Sequence, residues 1–116
     1  MQTHTGGCHC GAVRFTAEAE IENVISCNCS HCAKKGFLLT FIPETQFTLE
    51  KGADNLAEYT FNKRAIRHLF CTTCGTQAFA HATNQEGVPT VALNVRCLDD
   101  VDIEKLTITP VDGKNF

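Results

Sequence analysis

Three clusters of cysteine dominate the chemistry open to this chain: Cys8-x-Cys10, Cys27-x-Cys29-x-x-Cys32 and Cys71-x-x-Cys74. An eighth thiol, Cys97, stands alone. Tight groups of cysteine form disulfides in an oxidising compartment and hold metal in a reducing one. The opening MQTHTGGCHCG lacks the basic and then apolar pattern of a secretory leader. No apolar run approaches the roughly 20 residues that cross a bilayer. The expected compartment is therefore the cytoplasm, and the expected chemistry is metal binding.

Cys8, Cys10, Cys71 and Cys74 form two loops of two sulfurs each, with about 60 residues between them. In CTTCG the glycine after the second thiol permits a tight turn. Zinc accepts four thiolates at Zn–S near 2.3 Å, a closed tetrahedron. This quartet is expected to be a structural zinc site; the competing reading is two unrelated pairs of buried thiols. Cys27, Cys29 and Cys32 are only three. Three protein ligands with an exchangeable fourth mark a catalytic zinc. The fourth could come from His31, His9, His68, His81 or Cys97, although a lone histidine commonly serves as a hydrogen-bonding or core residue. Cys97 also reads as an inert buried thiol on one strand face with Leu93 and Val95.

If the fourth position is open, charge and softness decide what it accepts. Three thiolates on Zn²⁺ leave a net charge of −1, a weak Lewis acid for water but a good partner for an incoming thiol. A coordinated thiol loses its proton and keeps its nucleophilicity. The expected substrates are a small-molecule thiol and an electrophile such as an aldehyde, with two zinc ions per chain. His31 and His68 are candidates for a general base.

The elements that must position these thiols are short. The chain has 116 residues, 43% hydrophobic and 20% charged, which suits one domain spanning 1–116. Its net charge of −3 and lack of a basic block beyond Lys34 and Lys35 argue against nucleic acid as partner. AVRFTAEAE alternates as a half-buried strand, and Val24 to Ser26 leads into the three-cysteine segment. SHCAKKG suits one helical turn, with Ser30 as N-cap and Gly36 ending it. FLLTFI reads as a strand ended by Pro43; QFTLEKG and LAEYTFN read as a hairpin around GADN. AIRHLFC, TQAFAHA and TVALNVRCL are further strands, DDVDIEKL a short helix, and TITPV a last strand. The pattern predicts a mainly β domain with a core built on Phe15, Phe37, Phe41, Phe47, Tyr59, Phe61, Phe70 and Phe79.

GGCHCGAVRF, CNCSHCAKKG, YTFNKRAIRHLFCTTCGTQAF and NVRCLDD, in that order, resemble the glutathione-dependent formaldehyde-activating enzyme family. The likeness runs from Gly7 to the DGKNF tail and is nearest to the family's short branch, which includes centromere protein V. It implies a β-tent of the Mss4-like kind, short antiparallel sheets pinned by zinc. It implies a structural zinc on Cys8, Cys10, Cys71 and Cys74 and a catalytic zinc on Cys27, Cys29 and Cys32. It further implies carbon–sulfur lyase chemistry, condensing glutathione with formaldehyde to S-(hydroxymethyl)glutathione. Lys34, Lys35, Arg64 and Arg67 are candidates for glutathione's carboxylates, or else plain surface charge. Two other functions fit the same residues: a zinc-stabilised protein-interaction module, and a redox protein cycling the triad or Cys97 through disulfides.

Overall fold

The alternation after Cys10 becomes strand β2 (Arg14–Ala19), with Phe15, Ala17 and Ala19 turned inward. It lies at the centre of a small sheet in a computed structural model that describes residues 2–60 and 66–112. On one side β2 pairs antiparallel with β1 (Gln2–Gly7), and on the other with β5 (Phe47–Lys51). The larger sheet has seven strands. From one edge they run β10 (Thr107–Val111), β3 (Asn23–Cys27), β4 (Leu39–Pro43) and β9 (Pro89–Asn94). Then come β8 (Phe79–Thr83), β7 (Arg67–Cys71) and β6 (Leu56–Tyr59). Every pairing is antiparallel except β10 with β3.

The expected mainly β architecture with little helix is what the chain adopts. Three rings join the two sheets. Phe15 and Phe47 from the small sheet have centroids 5.3 Å apart, and Phe79 from the large sheet lies 5.9 Å and 4.7 Å from them. Val13, Val24, Val91, Leu93 and Val95 complete the buried interior. Burying such side chains supplies the main favourable free energy of a small domain.

Several expectations are corrected. QFTLEKG and LAEYTFN do not pair with each other: β5 joins the small sheet and β6 the large one. Gly52, with φ 98, turns the chain from one sheet to the other rather than closing a hairpin. DDVDIEKL yields only a 3-10 turn at Ile103–Lys105, because it lacks an apolar stripe long enough to bury. Strand β9 stops at Asn94, and Val95–Cys97 form a 3-10 turn whose Arg96 amide donates to the Asn94 side chain. Phe37 and Phe79 are in the core, but Phe41 is 52% exposed and Tyr59 49%. Phe61, Arg64 and the end of the tail lie outside the described residues.

Strand β1 was not expected, and the reason is visible in its buried face. That face carries His4, Gly6 and Gly7 rather than apolar side chains. His4 Nδ1 lies 3.1 Å from Asp100, tying the strand to the segment after β9. Asp99 beside it accepts from the Thr5 hydroxyl at 2.8 Å and pairs with Arg14.

Candidate metal centre

Cys8 and Cys10 leave β1 on a loop set by close packing. A Cβ on Gly7 would stand 2.1 Å from the Val13 carbonyl oxygen, so only glycine fits. The Cys8 amide donates to that carbonyl at 3.1 Å, and the Val13 amide donates to Cys8 Sγ at 3.3 Å. Opposite stands the knuckle after β7. Cys71 Sγ accepts from the Thr73 amide and from Asn55 Nδ2, each at 3.4 Å, while the Gly75 amide donates to the Cys71 carbonyl at 2.8 Å.

These loops bring Cys8, Cys10, Cys71 and Cys74 together, with all four sulfurs within 4.8 Å of one another. Cys8 and Cys10 sulfurs are 3.6 Å apart, and Cys10 and Cys71 sulfurs 3.7 Å. A tetrahedron with Zn–S near 2.3 Å has edges of about 3.8 Å, so the spacing fits a zinc ion. Two of the thiols are electrostatically prepared to ionise. The Thr76 hydroxyl and amide bring Cys74 down to about 5, and the Cys74 amide lowers Cys71. Amide and hydroxyl donors aimed at sulfur favour the thiolate that metals bind.

The second group sits where β3 meets helix α1 (Ser30–Lys35). The N-cap is Cys29, not Ser30: its sulfur accepts from the Cys32 amide at 3.3 Å. Gly36, with φ 69, closes the helix and donates its amide to the Cys32 carbonyl. This single turn therefore folds Cys27, Cys29 and Cys32 around one point, their sulfurs mutually within 4.8 Å. Burial is the largest single influence on Cys29 and opposes its ionisation. Hydrogen bonds from the Cys32 amide, the Cys32 and Cys27 thiols and the His31 amide together outweigh it, and the thiol lies below its ordinary value. Burial and the neighbouring Cys29 push Cys32 the other way. A soft trio with one poised thiolate suits a zinc ion.

None of the candidate fourth ligands joins this trio among the described residues. His9 is exposed on the other loop. His81 faces Glu44 at 3.7 Å. His31 stacks on Tyr59, with centroids 5.7 Å apart, and packs 4.2 Å from the His68 ring. Cys97 lies toward the other cluster, where burial and the charges of Cys8 and Cys74 raise its thiol to about 11. Its position follows from the 3-10 turn rather than from alternation along β9.

Two hollows are lined in part by residues of helix α1. An open cleft of about 590 Å³ is lined by His31, Lys34, Lys35, Tyr59, Phe70 and Gly75, a size in the range of small-molecule sites. Lys35 Nζ stands 6.0 Å over the Phe70 ring. Arg67 is instead engaged by Glu58. The second hollow, behind Cys32, holds only about 30 Å³ and includes Gln77. Sequence reasoning missed Gln77, Tyr59 and Phe70 at these hollows: cross-strand pairing of β6 with β7 places Tyr59 and Phe70, and the connection from β7 to β8 sets Gln77 against His68. No motif marks them.

A crystal structure of a Rhodobacter sphaeroides protein, a structural genomics target, is similar to this chain at 29% identity. The likeness covers 90% of this chain and 99% of that one, with a TM-score of 0.73. Residues 3–111 match the family described as glutathione-dependent formaldehyde-activating enzyme. Both cysteine groups lie inside that stretch. The chain belongs to the glutathione-dependent formaldehyde-activating enzyme family.

Proposed function

We propose that the chain is a single zinc-binding domain over 1–116 that joins a small thiol, glutathione in first place, to formaldehyde. The activity is of carbon–sulfur lyase type. The observation that carries the reading is the Cys27, Cys29 and Cys32 trio, which no described side chain completes, gathered at a helix whose His31, Lys34 and Lys35 also line a cleft. The quartet of Cys8, Cys10, Cys71 and Cys74 is the structural site, since four thiolates leave no position for substrate. Zinc at the trio would hold an incoming thiol as its nucleophilic thiolate.

The remaining work falls to the chain. Lys34 and Lys35 attract the carboxylates of the thiol compound into the cleft. Burial, and then the charge of Lys35, lowers His31, so its ring is neutral at pH 7 and able to accept a proton. His31 takes up the proton lost as the thiol ionises, and the thiolate sulfur then attacks the carbonyl carbon. The C=O bond opens, an S–C bond forms, and the proton returns to the new hydroxyl oxygen. Nothing is oxidised or reduced.

Exchange of glutathione and formaldehyde with their adduct, followed by NMR, tests this reading. Acceleration over the spontaneous exchange by protein loaded with both zincs is expected; no acceleration sinks it. Phe41 and Val88, exposed at 52% and 41% around one shallow hollow, favour the alternative of a protein-interaction module. That alternative predicts a zinc-loaded protein without exchange activity.

A further inference from the structure

Gln77 lies in the core, 6% exposed, yet its amide is only half used. Its Nε2 faces His68 Nδ1 at 3.1 Å, and its backbone carbonyl accepts from Asn94 Nδ2 at 3.1 Å. Oε1, fully buried, has no hydrogen-bond partner among the described residues. Buried polar atoms are rarely left so, and each such exception calls for a ligand or a water. Gln77 forms part of the small hollow behind Cys32, together with Phe37, Phe79, Ala80 and Ala92.

Two properties of this hollow limit its occupant. Its volume of about 30 Å³ admits about two heavy atoms. Phe37, Phe79, Ala80 and Ala92 are all under 9% exposed, and walls packed in the core do not retreat for an extra methyl. The unused polar atom is a carbonyl oxygen, so the occupant must donate a proton. Free formaldehyde carries none to give. A hydroxyl does.

We propose that this hollow is the subsite for the hydroxymethyl group of the thiol–formaldehyde adduct, whose O–H donates to Gln77 Oε1. The assignment of the ligand rests on the lyase reading above; the hydroxyl-accepting pocket itself does not. Cys32 stands in its wall, so the adduct's sulfur and its hydroxyl are addressed by neighbouring parts of one site. Larger aldehydes give adducts with a second carbon on the carbinol, and that carbon meets Phe79 and Ala92. The hollow would thereby select the small aldehyde by its walls and the condensed state through Gln77.

The test uses zinc-loaded, ¹⁵N-labelled protein without glutathione, titrated with methanol and, separately, with 2-propanol. The Gln77 side-chain amide is expected to shift saturably with methanol and at least about tenfold more weakly with 2-propanol. Absence of a shift, or equal shifts with both alcohols, overturns the pocket and leaves an ordered water in it. Ring ¹⁵N shifts should show His68 protonated at Nε2; protonation at Nδ1 would turn the Gln77 amide around and overturn the acceptor role. In adduct exchange, Gln77→Met should lower the preference for formaldehyde over acetaldehyde by about tenfold, while an unchanged preference sinks the selectivity. With the Gln77 response present and no exchange by wild type, the lyase reading and the ligand's identity fall while the hydroxyl pocket stands.

Discussion

Under the proposed function Cys74 and Cys32 serve different chemistries, although both are zinc-ligand candidates. Cys74 is drawn toward thiolate by Thr76, and its cluster closes on four sulfurs. Cys74→Ser should reduce bound zinc from about two to about one per chain and lower the melting temperature; unchanged zinc and melting would refute the structural assignment. Cys32→Ser should abolish adduct exchange while the structural zinc remains, measurable by emission spectroscopy of the purified variant. His68 supplies a pH dependence. Burial first, then His31 and Lys35, hold its folded pKa at about 4. The unfolded imidazole titrates near 6.5, so between about 6.5 and 4 the unfolded chain takes up a proton that the folded one resists. His68 stability is thus present above that window and lost as pH falls through it. The drop in urea midpoint from pH 7 to pH 5 should be smaller in His68→Asn than in wild type; equal drops would remove His68 as the cause.

At the level of elements, the trio depends on one turn of helix. Its start is a cysteine sulfur and its end a glycine at φ 69. Gly36→Ala forces an L-residue into the left-handed region and should cost about 1–2 kcal/mol, read as a lower melting temperature with any zinc at the trio more easily stripped. The C-cap was legible in the sequence because glycine after Lys35 has few other uses. Cys29 as N-cap was not, since thiols are seldom counted among capping residues. Gly7 bears on the other cluster: a Cβ there meets backbone, not a movable side chain. Strand β1 escaped notice because its inward residues are His4, Gly6 and Gly7, which carry no apolar period.

For the whole molecule, the contact between the two sheets matters most. Phe79 touches both Phe15 and Phe47 and is 2% exposed. Phe79→Ala should destabilise by about 3–5 kcal/mol, checked by chemical denaturation; a loss under about 1 kcal/mol would mean the sheets are held otherwise. The quartet's two loops are far apart in sequence, so a metal there restricts the unfolded chain as a long-range clip would. The same separation explains why β5 and β6, adjacent in sequence and each a plausible half of a hairpin, enter different sheets. Local alternation marks a strand but does not choose its partner.

By itself the sequence determined the mainly β character, the grouping of seven cysteines into a quartet and a trio, and the turn that carries Cys32. All of these reside in spacing and period, which a chain displays before it folds. The tertiary structure alone decided that no described histidine completes the trio. It also decided that Cys97 lies near the quartet and that His31, Tyr59 and His68 stack beside the cleft. Gln77 belongs with these: β7 and β8 bury it against His68, and only burial turns an ordinary amide oxygen into an acceptor that lacks a donor. Spacing along the chain sets which ligands can share an ion, whereas desolvation and cross-strand pairing arise only once distant segments meet.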